Sequence, residues 1–201
     1  MAYKIETSTL MKESFAIFKA QWASFVGIMV LVLGLAFLKF LLDGGQPLIV
    51  SALIGFVIAI PVAIVGVGSL RFCLGAARGK KEPFSVVFSG IDVLIPFLIA
   101  SIVYDISTVL GGILLVVPGV IIAVRFGFYS YYVADERLAA IDALKKSYAV
   151  TKDQFPDLLL LAWGIFGLNA LGVLAFGFGL FVTIPMTMII LTKVYIGFKG
   201  A

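Results

Sequence analysis

The chain contains no histidine and only one cysteine, Cys73. It therefore has no imidazole to bind a metal or haem or to act as a general base, and a lone cysteine forms no internal disulfide. The sequence also lacks a Gly-rich phosphate loop, a nucleophile elbow, a paired-acid motif and the spacing of a metal site. We therefore predict a protein that is not an enzyme and has no catalytic residues, metal or cofactor.

Charge is the second shortage. Charged residues make up 13% of the 201 positions and apolar or aromatic residues 62%, against about 25% and roughly 45–50% in a soluble domain. Residues 44–70 and 158–192 contain no charged side chain, and about 20 apolar residues are enough to cross the hydrocarbon core of a bilayer. Barrel-type alternation is absent, and lipid tolerates only helices and closed barrels. The composition therefore predicts an all-α membrane protein.

Six transmembrane helices, paired as three hairpins in a single membrane domain, fit the apolar segments. The predicted spans lie at 22–42, at 48–72, twice within 93–133 and twice within 156–198. The turns fall at the sequence DGGQP, near Gly111 and Gly112, and near GFG at 177–179. Asp105 interrupts the middle pair, so a re-entrant loop there is the alternative.

The basic residues predict the orientation. With six spans, one side of the membrane holds all bases except Lys39, namely Lys4, Lys12, Lys19, Arg71, Arg78, Lys80, Lys81, Arg125, Arg137, Lys145, Lys146, Lys152, Lys193 and Lys199. Short loops rich in Lys and Arg stay in the cytoplasm. We therefore expect a multi-pass protein of the cell's inner membrane with both termini cytoplasmic. The net charge of +4 and the pI near 9.2 come from these bases, so a nucleic-acid partner is not expected.

Two polar segments resemble each other at an offset of 133 residues. KESFAIFKAQW at 12–22 aligns with KKSYAVTKDQF at 145–155. Each has an apolar or aromatic stripe at helical spacing, formed by Met11, Phe15, Phe18 and Trp22 in one segment and by Leu144, Tyr148, Thr151 and Phe155 in the other. We predict two amphipathic helices in the membrane interface, with Asp142 paired to Lys146 one turn later. A shorter segment at 83–90 carries Phe84 and Phe88 one turn apart.

A second repeat lies in the apolar sequence. Glycine, five mostly apolar residues and proline recur at 55–61, 112–118 and 179–185, and each copy is followed by a base, Arg71, Arg125 or Lys193. Together the repeats predict three units, at about 8–78, 79–134 and 137–201, each an interfacial helix followed by a hairpin. Such units would surround an axis normal to the membrane.

The lysine-bearing segments have two possible roles. They cover the inner ends of the bundle and fix its orientation, or they bind lipid headgroups or a partner. The three bases that follow the Gly-x5-Pro copies also have two possible roles. They follow the positive-inside rule and interact favourably with the C-termini of their helices, or they form a ring that binds a phosphate group. The candidate residues for lipid or partner binding are Lys12, Lys19, Arg71, Arg125, Lys145, Lys146, Lys152 and Lys193. We expect YSYY at 129–132 to form an aromatic belt at the interface.

Two polar residues inside the predicted spans are candidates for function. Asn169 is expected to hydrogen-bond across helices, with a transport site as the alternative. Asp105 is either a functional intramembrane carboxylate or a group hydrated near the outer end of its span. Small residues in the fifth span are expected to allow close helix approach, namely Gly164, Gly167 and Gly172.

Part of the chain resembles a bacterial and archaeal membrane-protein family. The resemblance runs through VVPGVIIAVRFGFYSYYVADE at 116–136, AIDALKKSYAVTKDQF at 140–155 and a Gly- and Leu-rich pair of spans containing TIP at 183–185, and covers 66–199 best. The matching positions are Pro118, Gly119, Arg125, the run 143–147, Thr151, Lys152 and Phe155. This family supplies the N-terminal membrane domain of some glycerophosphodiester phosphodiesterases and also occurs as stand-alone proteins of unknown function. These 201 residues include no hydrolase domain, so phosphodiesterase activity is not expected.

The sequence therefore favours a non-catalytic membrane accessory or scaffold protein. Its expected partners are membrane lipids and either another membrane protein or further copies of itself. The alternative is a small-solute or ion transporter or channel, for which the repeats, Asp105 and Asn169 are the support. A transporter normally needs more polar groups near the middle of the bilayer than this chain offers.

Overall fold

A computed structural model describes residues 7–175 and 177–200, and almost all of these residues are helical, with no strand among them. The elements are α1 (Thr7–Ala20), α2 (Trp22–Asp43), α3 (Leu48–Ala77), the 3₁₀ helix η1 (Phe84–Val93), α4 (Leu94–Leu114), α5 (Val116–Phe126), α6 (Tyr129–Glu136), α7 (Ala140–Thr151), α8 (Phe155–Leu174) and α9 (Leu180–Gly200). The predicted all-α class is confirmed. Lys4, one of the bases used to predict the orientation, lies outside the described residues.

Six segments of the described residues are long and apolar enough to cross a membrane, which confirms the predicted number. They are Trp22–Asp43, Leu48–Ala77, Phe84–Ile113, Val116–Glu136, Phe155–Leu174 and Leu180–Gly200. The shortest is about 30 Å long at 1.5 Å per residue, which matches the hydrocarbon core. Gly45 and Gly177 adopt φ values of 74° and 79° in the turns before α3 and α9, a left-handed conformation that glycine adopts without steric cost.

The fourth span is broken into two helices. Helix α5 has 11 residues, about 16 Å of length, which is shorter than the roughly 30 Å of the hydrocarbon core. The chain bends at Gly127 and Phe128 and continues as α6. The third span is different, because α4 runs without a break through Asp105. The Asp105 carboxylate therefore does not interrupt the helix.

The core has two apolar clusters. The larger one joins α4, α6, α7, α8 and α9 and includes three tyrosines of the sequence YSYY, which are Tyr129, Tyr131 and Tyr132. The predicted aromatic belt at 129–132 is therefore wrong for these three side chains. They pack inside the bundle because α6 is enclosed by α3, α4 and α7. The smaller cluster joins α1, α2, α3 and α9 around Phe25 and Phe72, whose rings meet edge to face at 5.2 Å.

Only one of the three glycines that were expected to allow close helix approach does so, and other glycines make close contacts as well. A Cβ atom built on Gly68 of α3 would lie 1.9 Å from the carbonyl oxygen of Val87 in η1. The expectation holds for Gly172, where a Cβ atom would lie 2.6 Å from Thr183 Oγ1. It is wrong for Gly164 and Gly167, since a Cβ atom there would meet nothing within 4 Å. Both of these glycines face outwards from the bundle.

Three short segments lie against the second helices of successive pairs of spans. Helix α1 packs on α9, η1 on α3 and α7 on α5. Residues that are 133 positions apart are buried together in α1 and α7. Ser14 and Ser147, for example, are both 0% exposed. The other buried pairs at this offset are Leu10 and Ala143, Phe18 and Thr151, Phe25 and Leu158, and Ile28 and Leu161. The three-unit repeat stays a prediction, which this pattern supports.

Candidate functional site

The candidate residues for lipid or partner binding lie at one end of the bundle, which we call the basic end. It comprises α1, residues 78–83, η1, α6, α7 and the last turns of α3, α5 and α9. Four candidates on it have exposed side chains and form no ion pair among the described residues, namely Lys12, Lys19, Lys145 and Lys152. On α1, Met11 and Phe15 are also exposed, as is Trp22 at the start of α2, whereas Phe18 packs on the bundle. The helix therefore presents lysines beside uncovered apolar side chains.

Arg71 is held in a network of internal contacts. Its guanidinium group binds both carboxylate oxygens of Asp92, at 2.8 and 2.9 Å, and donates to the carbonyl oxygens of Ser89 and Ala134 at 2.5 and 3.0 Å. Arg137 approaches the same carboxylate at 3.1 Å. Arg71 thus ties α3 to η1 and to the end of α6, and most of its donors already have acceptors.

Two of the candidate lysines also bind within the protein. Lys193 of α9 forms an ion pair with Glu13 of α1. Lys146 of α7 binds Glu136 at 2.5 Å and lies 5.0 Å from the ring centre of Tyr132. The predicted pair of Lys146 with Asp142 is therefore wrong. The end of α6 lies beside α7, and Lys146 binds Glu136 there instead of Asp142 on its own helix.

Arg125 occupies a different environment from the other two bases of the Gly-x5-Pro copies. Its guanidinium carbon lies 5.0 Å from the ring centre of Tyr148 and 5.2 Å from that of Phe155, a cation–π arrangement. Its Nη1 atom is closed off from solvent, and the described residues offer it no hydrogen-bond acceptor. Arg71, Arg125 and Lys193 each contact a different short segment, which are η1, α7 and α1, and their arrangement as a ring stays a prediction.

The break in the fourth span is closed by hydroxyl groups of α7. Ser147 Oγ and Thr151 Oγ1 each donate to the carbonyl oxygen of Arg125 at 2.9 Å. The N–H of Phe128 donates to Ser147 Oγ at 3.1 Å. Backbone groups freed at the end of α5 and the start of α6 thus find partners in a neighbouring helix, as is required inside a bilayer.

A second ion-pair network was not anticipated from the sequence. Asp135 accepts hydrogen bonds from Arg78, Lys199 and Tyr195 at 2.9, 2.9 and 3.0 Å. The bond to Asp135 raises the pKa of the Arg78 guanidinium. The only sequence signal was the acidic pair at 135–136 among the bases. A cavity of about 240 Å³ opens beside this network, and its charged lining consists of Arg71, Arg78, Lys80, Glu82, Asp135 and Arg137.

The intramembrane polar candidates are not joined to each other. Asn169 donates to Thr187 Oγ1 of α9 at 3.0 Å and to the carbonyl oxygen of Ile165 at 3.0 Å, which agrees with hydrogen bonding between helices. Asp105 is exposed on α4, beside Tyr104 of the same helix. Within the described residues, no hydrogen bond or ion pair connects Asp105 to Asn169.

A second cavity, of about 320 Å³, lies among α4, α5, α6, α8 and α9. Its lining is mainly apolar, and the hydroxyl groups of Tyr104 and Tyr131 donate to the backbone carbonyls of Ala123 and Met188, both at 3.4 Å. The basic end therefore combines exposed lysines, internal ion pairs and one arginine above an apolar cavity.

No protein-family model, curated protein or solved structure matches this chain. The resemblance to the membrane domain of glycerophosphodiester phosphodiesterases therefore stays a prediction from the motifs. Several of its residues meet where α5, α7 and α8 converge, namely Arg125, Ser147, Thr151 and Phe155, whereas Pro118 and Gly119 lie in the first turn of α5.

Proposed function

We propose that this protein is a non-catalytic integral membrane accessory or scaffold protein. Its basic end faces the cytoplasm of the inner membrane and associates with anionic lipids, and the bundle associates with another membrane protein or with further copies of itself. This function uses the whole chain as a membrane domain and needs no catalytic group, metal or cofactor.

The distribution of unpaired bases is the observation that carries the proposal. Among the described residues, the lysines outside ion pairs are Lys12, Lys19, Lys80, Lys81, Lys145 and Lys152. All of them lie on α1, on residues 78–83 or at α7 and just after it, and all are exposed. Each base near an anionic surface adds about 1 kcal/mol of attraction, within a Debye length. The paired bases serve the fold, and the unpaired ones remain available to headgroups.

The contacts around Asn169 favour this proposal over transport. Its amide is used in a hydrogen bond between α8 and α9. A Cβ atom on Gly179 would lie 2.7 Å from Gly172 Cα, so the same two helices leave no room for a path near that turn. Asp105 argues for a transporter, because a carboxylate exposed within a span is costly and such groups are usually functional. Purified protein in liposomes should show no solute or ion flux above empty vesicles, and saturable flux that Asp105→Asn abolishes would replace our proposal.

The lipid association can be tested with charge-matched variants. We compare Lys145→Gln/Lys152→Gln with Gln46→Glu/Ala175→Glu, which changes the net charge equally at the opposite end of the bundle. Each protein is placed in nanodiscs made from equal parts of phosphatidylglycerol and phosphatidylcholine, then extracted, and the retained lipids are quantified. We expect the lysine variant to lose enrichment of phosphatidylglycerol and the control to keep it. Equal enrichment in both would reject the lysines as a lipid-binding surface.

A further inference from the structure

The cavity among α4, α5, α6, α8 and α9 has the size and lining of a ligand site. Its volume of about 320 Å³ falls within the range of about 300–1,000 Å³ that is common for ligand pockets. The side chains of Val124, Leu158, Leu161, Ile165 and Leu191 supply most of its apolar surface. Since the two tyrosine hydroxyls on the lining are bonded to the backbone, the cavity offers an apolar ligand few groups that need water.

The shape of the cavity follows from the break in the fourth span. Helix α5 ends at Phe126, and the bend that follows brings Gly127 and Phe128 into the cavity wall. On α8 the wall extends from Leu158 to Ile165, about 10 Å along the helix axis. That is about two thirds of one leaflet of the hydrocarbon core, which suits part of one acyl chain.

Arg125 lies at the end of this cavity nearest the basic end. Phe155, whose ring it covers, comes one helical turn before Leu158 on the face of α8 that lines the cavity. Val124 and Gly127, which also line it, flank Arg125 on α5. Arg125 itself is not part of the lining, so its guanidinium group lies beside the apolar wall, near the ring of Phe155.

The electrostatics of this end suit an anion. Arg125 forms no ion pair among the described residues, and its Nη1 atom lacks an acceptor. The side chain is only partly buried, so other donors of the group remain within reach of a ligand. Exposed Lys152 follows Thr151, which contacts the Arg125 carbonyl. Two exposed acids, Asp153 and Asp157, lie within two residues of Phe155, and Asp157 is about 200° around the helix from it.

We propose that these two features form one site for a single anionic glycerophospholipid. One acyl chain occupies the cavity, and the phosphate binds Arg125, whose orientation is set by the rings of Tyr148 and Phe155. A phosphate oxygen satisfies the guanidinium donors, and the chain fills apolar space inside the bundle. This site rests on the proposed association with anionic lipids and goes beyond it, because it predicts one bound molecule instead of a mobile layer.

The test counts lipids on the intact protein. Protein from nanodiscs that contain phosphatidylglycerol and phosphatidylcholine is transferred to detergent, washed, and analysed by native mass spectrometry. We expect one phosphatidylglycerol to survive the wash. Ala162→Phe, which fills the cavity, should remove it, whereas Ala170→Phe, on an exposed position of the same helix, should not. Size exclusion and thermal melting establish that each variant is folded.

A second pair of variants separates headgroup recognition from chain binding. Arg125→Gln should still retain a lipid but should lower the preference for phosphatidylglycerol over phosphatidylcholine about tenfold. Both lipids carry the phosphate, but the choline of phosphatidylcholine already balances its charge, so only phosphatidylglycerol has a net negative charge for Arg125 to offset. Lys12→Gln/Lys19→Gln, on α1 and away from this cavity, should leave the single bound lipid in place even where it lowers the wider enrichment. Displacement by glycerol phosphate alone would mean that the headgroup suffices without the cavity, and would overturn the proposal. Retention by Ala162→Phe, or no retained lipid in the unmodified protein, would overturn it as well.

Discussion

Ser147 and Ser14 provide a matched test of how the broken fourth span is held together. Both serines are completely buried and lie at the same position of the predicted repeat. Ser147 Oγ donates to the Arg125 carbonyl and accepts from the N–H of Phe128, whereas Ser14 Oγ has no hydrogen-bond partner among the described residues. Replacing each serine by alanine removes the same atom from two different environments.

The two substitutions are expected to change the free energy of unfolding by different amounts. Ser147→Ala leaves the buried N–H of Phe128 without this acceptor, which costs about 1–3 kcal/mol. The Arg125 carbonyl keeps its bond from Thr151, so we expect a loss of about 2 kcal/mol in the free energy of unfolding. Ser14→Ala removes a buried hydroxyl that has no partner, and should be neutral or stabilising by up to about 1 kcal/mol.

Reversible unfolding in mixed micelles, with increasing mole fraction of a denaturing detergent, measures both free energies. Helix content by circular dichroism is the first probe, and the fluorescence of the two tryptophans, Trp22 and Trp163, is the second. Ser147→Thr serves as a further control, because it keeps the hydroxyl group.

The reasoning is refuted if the two alanine variants lose the same stability. In that case the hydroxyl of Ser147 is not what closes the break, and α5 and α6 are held by packing alone. A destabilising Ser14→Ala would show instead that this serine has a partner at the α1–α9 contact.

Three further predictions concern packing, the intramembrane amide and orientation. Gly68→Ala should destabilise the protein by several kcal/mol or displace η1, because a Cβ atom would lie 1.9 Å from a carbonyl oxygen. Gly164→Ala has open space around it and should be neutral or stabilise the protein by up to about 1 kcal/mol. Equal melting temperatures of the two variants would contradict this. Asn169→Leu should lower stability by about 0.6–1.7 kcal/mol through the lost bond between α8 and α9, measured by the same unfolding assay, and unchanged stability would count against that bond. A cysteine at Gln46 should react with an impermeant reagent from outside the cell and one at Lys80 only after permeabilisation; labelling of the second from outside would invert or break the proposed orientation.

Much of the fold could be predicted because membrane insertion depends on local sequence. The free energy of transfer into lipid adds along a segment, so long apolar windows identify spans without knowledge of their neighbours. The turns near Gly45 and Gly177 were predictable for the same reason, since glycine and short polar runs act locally. The contact between Phe84 and Phe88, at 6.2 Å between ring centres, also follows from spacing alone.

The candidate site was only partly predictable. Basic residues at one end follow from composition, but which of them stay free depends on acids that are distant in sequence. Lys193 binds Glu13, 180 residues away, and Arg71 binds Asp92. Tyr129, Tyr131 and Tyr132 were assigned to the interface because tyrosine favours it, yet the bend after α5 directs them into the core.

The sequence by itself determined that this chain is an all-α membrane protein with six apolar spans and its bases concentrated in a few short segments. These properties are sums over neighbouring residues, so no tertiary information is needed to read them. Only the tertiary structure decided that Ser147 closes the break in the fourth span, that Arg125 lies beside residues lining an apolar cavity, and that four of the eight candidate bases are exposed and form no ion pair among the described residues. Each of these depends on which helices pack together. In a bilayer, burial of apolar surface no longer distinguishes one arrangement from another. The arrangement is therefore set by close packing and by a few polar bonds between residues that are distant in sequence.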